Sequence, residues 1–376
     1  MALGARSTIP SSMRVPYLDL GAQHTPIKEE LLAAIGEVID SNAFVLGPAV
    51  DAFERHFAEF CDAEHCVAVN TGTAAVHLAL LAYGVGPGDE VITQANTFIA
   101  TVAAIMYTGA KPVLVDVKPP SYTIDIDAVE ASITSKTKAI LPVHLFGQPC
   151  ELDDLRSVAK KHGVALLEDA SQAHGALYHG TKIGSSGTAT FSFYPGKNLG
   201  ACGEGGGVVT DDVAIDGSVR LLRNHGSREK YRHEILGYNY RLEGIQGAVL
   251  DVKTRYLAGW TRDRQRVAAT YDTLLGGIER PTLLADTTSA YHIYPVLVQN
   301  RDDVRAHLAQ AGIETNVHYP IPCHLQPGYL QLGYAQGAFP ESERMAREEL
   351  SLPIFAEMTQ IQVEYVAEHL AEAVAR

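Results

Sequence analysis

The sequence predicts an α/β chain: a mostly parallel sheet sandwiched by helices, followed by a smaller C-terminal α+β domain. Three observations point there. Short runs rich in Val, Ile and Leu alternate with helical runs up to about residue 240. Those runs are near-continuously apolar, as strands covered on both faces must be. Beyond residue 241 a long helical stretch gives way to shorter mixed elements.

In order along the chain, residues 27–39 read as an amphipathic helix with Ile27, Leu31, Ile35 and Val38 on one face. CVAV (66–69) is a strand, followed by a turn and a helical run from Thr73 to Tyr83. EVIT (90–93) is a strand, and the run from Thr97 to Met106 is helical. KPVLVDV (111–117), AILPVHL (139–145) and VALLE (164–168) are further strands, with helices at 126–133 and 151–161 between them. TFSF (190–193) and GGVVT (206–210) complete the strand set. Residues 242–277 are helical with few breakers. HIYPVLV (292–298) is a strand, and helices are expected at 303–311, 342–350 and 358–375. Domain limits follow: a flexible start over 1–15, a large domain over 16–250 and a small one over 251–376.

The length of 376 residues suits two domains at about 150 residues each. With 46% hydrophobic and 20% charged residues, the composition is that of a globular protein. No apolar run reaches the roughly 18 residues a membrane span needs. The first 14 residues carry Arg6 and Arg14 without an apolar stretch, so no secretory signal is expected. The formal net charge of −14 disfavours nucleic acid and anionic membranes as partners. Five scattered cysteines fit a reducing cytoplasm, and Cys61 and Cys66 read as buried thiols rather than metal ligands. No metal is expected.

In such sheets ligands bind beyond the carboxyl ends of the strands, and four clusters fall there. NTGTAA (70–75) follows a strand and opens a helix, where free N–H groups and the Thr73 hydroxyl would hold an anion. The same pattern is also ordinary helix capping. EDASQAHG (168–175) places two carboxylates at a strand end, where a cationic partner such as a protonated ring nitrogen would be met; a capped turn is the plainer reading. SFYPGKNLG (192–200) puts Lys197 after a Pro-Gly turn in apolar surroundings. Desolvation there would free an amine for Schiff-base chemistry, whereas in isolation PGKN reads as a surface turn. GEGGGVVT (203–210) is structural. The order of the first three decides: an anion site, an aromatic, an Asp and a Lys are the set that pyridoxal phosphate needs.

These residues resemble the DegT/DnrJ/EryC1/StrS sugar aminotransferases, a branch of the fold-type I pyridoxal-phosphate enzymes. The similarity runs through about residues 16–360. It covers PYLDL (16–20), LGPAVDAFE (46–54), NTGTAA, ANTFIAT (95–101), PVHLFGQ (142–148), EDASQAHG, FSFYPGKN (191–198), LRNHG (222–226), GYNYRLEGIQGAVL (237–250) and HYPIPCHLQ (318–326).

The resemblance implies site residues. Lys197 matches the Schiff-base lysine, Asp169 the partner of the pyridine nitrogen, and Gln172 the residue beside the ring hydroxyl. Phe98 matches the stacking aromatic, and Gly72, Thr73 and Ser192 match phosphate ligands. Asn239 matches a phosphate ligand donated by a neighbouring subunit, which implies a homodimer. His318, Tyr319 and His324 fall where members approach the sugar, as do Lys230 and Tyr231 in a loop. Two departures stand out. Ser171 replaces an Ala of the family's EDAAQAHGA, and Tyr240 stands where NSR is common. Members with His in place of the lysine are dehydratases, and Lys197 argues against that activity here.

The implied activity moves an amino group from L-glutamate to a nucleotide-linked keto-6-deoxy sugar, with pyridoxamine phosphate as the intermediate cofactor form. dTDP is favoured as the nucleotide and C-3 over C-4 as the position, in amino-sugar and antibiotic biosynthesis. Arg241, Lys230 and Arg228 are candidates to meet the diphosphate, or solvated surface charge. The alternatives are a keto-cyclitol aminotransferase, an aminobenzoate-forming relative and a non-catalytic cofactor-binding regulator. A plain amino-acid aminotransferase is disfavoured by HYPIPCHLQ and by the lack of a clear carboxylate-binding Arg motif.

Overall fold

A computed structural model describes residues 13–375. Its centre is a seven-stranded sheet: β1 (His65–Val69), β2 (Glu90–Gln94), β3 (Lys111–Val115), β4 (Thr137–Ile140), β5 (Ala165–Asp169), β6 (Thr188–Ser192) and β7 (Gly206–Thr210). The spatial order is β1-β7-β6-β5-β4-β2-β3. β7 alone runs antiparallel to its neighbours β1 and β6, and the remaining pairings are parallel. The sheet is therefore mostly parallel, as the apolar runs require.

Both faces are covered. Helices α1 (Lys28–Ser41), α2 (Pro48–Cys61), α3 (Gly72–Ala82), α4 (Ile99–Tyr107), α5 (Leu152–His162), α6 (Val213–Arg223) and α7 (Gly244–Leu274) surround it. Strand periodicity assigns the faces. Cys66 and Ala68 of β1 join Phe53 and Phe57 of α2 and Leu155 of α5 in one core. Val67 and Val69 join Leu78 of α3 and Ile105 of α4 in the other. Glu54 on α2 ties these parts together. Its carboxylate accepts from Ala68 N–H at 2.8 Å and from Arg220 at 2.7 Å, and it also meets the buried Arg223 guanidinium.

A second core is built mainly on α8 (Arg301–Gln310), α10 (Gln360–Val374) and the antiparallel pair β8 (Tyr294–Leu297) and β9 (Glu349–Leu352), while Met345 of the neighbouring helix α9 (Pro340–Glu348) joins a smaller cluster with Ile293 and Leu297. Val267, Ala268 and Tyr271 of α7 belong to the second core, whereas Leu250 and Leu257 belong to the large one. Core membership thus changes within α7, between Leu257 and Val267. Of the start expected to be flexible, residues 1–12 lie outside the described residues. Val15 is fully buried, pairs with Ile313 and joins the second core.

Three element limits differ from expectation. The 139–145 strand stops at Ile140, because Pro142 has no N–H to give a ladder. The helix expected over 342–350 ends at Glu348, and the next four residues form β9. β3 stops at Val115, and Val117–Lys118 pairs instead with Thr123–Ile124. Among the described residues, no helix is long and apolar enough to cross a membrane.

Candidate active site

A cleft of about 660 Å³ opens at the carboxyl ends of β1, β2, β5 and β6, where the second core meets the sheet. It is lined by Gly72, Thr73, Phe98, Asp169, Gln172, Ser192, Lys197, His318 and Tyr319. Nine residues singled out from scattered motifs are thus neighbours.

Each is placed by local structure. Thr71 caps α3, its hydroxyl accepting from Ala74 N–H at 3.0 Å. The N–H groups of Gly72 and Thr73 are left free of intrahelical partners and face the cleft with the helix's positive end. Gly72 is required there: a Cβ on it would stand 2.6 Å from Ser192 Cβ. This close approach sets the Ser192 hydroxyl beside the helix end. Together they form a small anion cradle.

Asp169 ends β5 and is buried. One carboxylate oxygen accepts from the Thr101 hydroxyl at 2.8 Å and the other from Ser171 N–H at 3.1 Å. Ser171, the departure from the family pattern, uses its backbone here, which Ala would do equally well. Gln172 accepts from Phe146 N–H at 2.6 Å and donates to the Tyr319 hydroxyl at 3.3 Å, bridging the sheet to the small-domain side. Phe98 is half exposed within the cleft, its ring 5.2 Å from that of Tyr319.

Lys197 sits on the turn that Tyr194 O and its own N–H close at 2.9 Å. Burial lowers its amine to about 8, and the Asp169 carboxylate opposes the shift. Two imidazoles nearby stay neutral at pH 7. Burial lowers His174 to about 3 and His318 to about 4, with Lys197 adding to both shifts. His318 is held from the small-domain side: its N–H donates to Glu349 at 2.7 Å, and its Nδ1 meets the Ser351 hydroxyl at 2.7 Å.

Six expected residues are not among those lining this cleft. His324 is fully buried, paired with Glu343 at 3.1 Å and packed edge-on to Phe339. Lys230 and Tyr231 lie on an exposed ribbon formed by Ser227–Glu229 and Arg232–His233, with the Lys230 amine 5.2 Å from the Tyr231 ring centre. Asn239 is exposed, its side-chain amide oxygen accepting from Arg241 at 2.6 Å. Neither Arg241 nor Arg228 lines the cleft; Arg228 is exposed near Glu234 at 3.6 Å. Cys61 and Cys66 are buried thiols in the large core.

Sequence reading missed four residues that the fold brings in. Thr101 lies inside the quoted ANTFIAT run, one turn after Thr97, so a polar residue on an apolar helix was its signal. Tyr17 stacks near His318 at 5.9 Å. His292 lines the wall and touches Asn198 at 3.2 Å. Arg264, the single arginine lining the cleft among the described residues, donates to the carbonyls of Tyr291, His292 and Ile354, while its Nε has no partner.

Comparison with known proteins agrees with this geometry. The DegT/DnrJ/EryC1/StrS aminotransferase family matches residues 25–371. The chain belongs to that family. It is 46% identical over 345 residues to the dTDP-3-amino-3,4,6-trideoxy-alpha-D-glucose transaminase of Streptomyces venezuelae, covering 91% of each chain. It is 45% identical over 366 residues to the pleiotropic regulatory protein of Geobacillus stearothermophilus, covering 96% of this chain and 98% of that one. The crystal structure of S. venezuelae DesV in complex with a ketimine intermediate superposes with a TM-score of 0.95 at 44% identity, covering 97% of this chain and all of that one.

Membership carries the fold-type I architecture, the class of sugar aminotransferase and the use of pyridoxal phosphate. The residues present fit that cofactor. The cleft offers an anion cradle that a Cβ at residue 72 would fill, a buried carboxylate held by two donors and a partly desolvated amine.

Proposed function

We propose that this member transfers the amino group of L-glutamate to a nucleotide-linked keto-6-deoxy sugar, with dTDP as the nucleotide and C-3 as the carbon aminated. One observation carries the reading: the Lys197 amine, the Asp169 carboxylate and the capped end of α3 meet in one cleft of a sugar aminotransferase. Identity to a transaminase named for a dTDP-3-amino sugar supports the nucleotide and the carbon.

Bound pyridoxal phosphate supplies a protonated ring that takes up the electron pair released beside the migrating amine. The chain does the rest. Gly72 and Thr73 N–H, with the Ser192 hydroxyl, would hold its phosphate. Asp169 would meet the ring nitrogen and keep it protonated, with Thr101 fixing the carboxylate's orientation. Phe98 would cover one ring face. The Lys197 amine takes the proton from the donor's α-carbon and returns one to the sugar carbon that receives the amine. Its lowered pKa leaves a useful neutral fraction at physiological pH. Arg264 is the group available to a donor carboxylate, and His318 and Tyr319 face the sugar.

The anion cradle is completed by Asn239 of a second copy. In its own chain that side chain does not reach the cleft, so the proposed assembly is a homodimer with shared sites.

A half-reaction tests the acceptor. Enzyme loaded with pyridoxamine phosphate is offered dTDP-linked 3-keto and 4-keto 6-deoxyhexoses, UDP-linked counterparts, keto-inositols and an aminobenzoate precursor ketone. Return of the aldehyde form with the dTDP 3-keto sugar alone is the expected result. Return only with a keto-inositol or the precursor ketone would move the chain to those relatives. A regulatory role, as the Geobacillus relative's name carries, predicts no spectral change with glutamate or any ketone.

A further inference from the structure

Away from the cleft, three ligand-type side chains converge on the small domain. His307 lies in the last turn of α8, while His369 and Glu372 are three residues apart on α10. Leu308, Val366 and Leu370 pack these two helices into one core, so the three side chains are presented from a rigid pair rather than from loops. Their donor atoms all lie within 4.8 Å of one another, and no other such group occurs among the described residues.

The distances are informative. Glu372 Oε2 is 4.0 Å from His307 Nε2 and 3.4 Å from His369 Nδ1. Charge-assisted hydrogen bonds close to about 2.8 Å, so neither imidazole is bonded to the carboxylate. Both nitrogens are nonetheless buried and without any hydrogen-bond partner. Two unpartnered imidazole nitrogens aimed at one carboxylate oxygen are an unstable arrangement unless something sits between them. With metal–ligand bonds of about 2.05 Å, the edge of a tetrahedron is about 3.3 Å. Of the three edges, the 3.4 Å one already matches; the 4.0 Å one and the imidazole–imidazole one, which lies within 4.8 Å, close by side-chain rotation.

We propose that His307 Nε2, His369 Nδ1 and Glu372 form a binding site for a borderline transition dication, Zn²⁺ in particular. Two imidazoles select such ions over Mg²⁺ and Ca²⁺, which take oxygen ligands. His307 and Glu372 both lie in last helical turns, where free carbonyls favour positive charge. Glu372 is the exposed member, which leaves the fourth position to water. The ion would clamp α8 to the C-terminal helix and stabilise the small domain. It takes no part in amino transfer, since none of the three lines the cleft.

The test uses untagged, full-length, cofactor-loaded enzyme stripped with EDTA and titrated calorimetrically with ZnCl₂. One Zn²⁺ per chain is expected, at a dissociation constant of about 10 μM or below, undisturbed by millimolar Mg²⁺. His369→Ala, His307→Ala and Glu372→Gln should each weaken binding about tenfold or more, with transaminase turnover unchanged. Turnover serves as the folding control. No Zn²⁺ uptake by the wild type at that concentration overturns the proposal, as does binding to all three variants at wild-type strength.

Discussion

The Thr101 hydroxyl donates to Asp169 Oδ2 at 2.8 Å, and Thr97 in turn contacts Thr101 at 3.0 Å. The carboxylate proposed to meet the ring nitrogen is thus oriented from helix α4, a different element from the strand that carries it. Thr101→Val keeps the shape and removes the donor. A hydrogen bond to a charged group contributes about 1.5–3 kcal/mol, so kcat should fall roughly ten- to a hundredfold while the cofactor stays bound. Single-turnover rates with glutamate measure this; an unchanged rate would show that Asp169 needs no such support.

Lys197 is expected to set the pH dependence of cofactor loading. With a pKa of about 8 rather than 10.5, about one amine in ten is neutral at pH 7, against about one in three thousand for an unshifted lysine. The neutral fraction rises with pH, so the rate at which cofactor-free enzyme takes up pyridoxal phosphate should climb tenfold per unit below about pH 8 and level off above it. Lys197→Ala should lose the visible absorbance of the lysine–cofactor bond and all turnover, yet still bind pyridoxamine phosphate. Stopped-flow absorbance reads both.

Shared sites predict complementation. If Asn239 reaches the second copy's cradle as proposed, Asn239→Asp adds a negative charge beside the phosphate and should weaken cofactor binding about tenfold or more by repulsion. Mixed with Lys197→Ala protein, it should form hybrid dimers carrying one intact site, recovering up to about a quarter of wild-type turnover by random pairing. Inactivity of a mixture shown by mass spectrometry to contain hybrids would be falsifying for the shared site.

The Ser351 hydroxyl links His318 to the buried Glu349. Ser351→Ala unties the imidazole without touching the ring of residues around Lys197. The expected outcome is a split: KM for the keto-sugar rises several-fold, while the half-reaction with glutamate keeps its rate. Equal losses in both half-reactions would point instead to a role in the proton transfer itself.

Glu54→Ala leaves the buried Arg223 and the half-exposed Arg220 without their shared carboxylate. Removing one partner of a buried pair costs about 3–5 kcal/mol. A urea unfolding midpoint of the loaded enzyme unmoved by the change would contradict this. The active-site absorbance should be unaffected below the transition, because Glu54 is not among the residues lining the cleft.

Much of this was legible in the sequence because the relevant signals are local. Apolar runs such as Glu90–Gln94 and Gly206–Thr210 announce buried strands, and Gly72, Asp169 and Lys197 sit in short motifs at their ends. What was not legible depended on which way a side chain turns. His324 shares a motif with His318, but its ring pairs with Glu343. Arg264 sits in a long helix otherwise rich in solvated charge, and nothing local distinguishes it from Arg262 or Arg266. Only tertiary packing buries it. The start of β9 likewise reads as the end of a helix, since its partner Tyr294–Leu297 lies over fifty residues earlier.

Helix α7 enters the large core at Leu250 and leaves from the small one at Tyr271, and Val15 at the other end of the chain joins that small core too. For anyone building chimaeras between relatives to change acceptor choice, the small domain is therefore not a C-terminal cassette. A single crossover after α7 would pair one parent's Met13–Leu18 and late α7 with another parent's core, mismatching the packing on two sides. Two junctions are needed, one just past Leu18 and one inside α7 between Leu257 and Val267, the second chosen where the parents' helical faces agree.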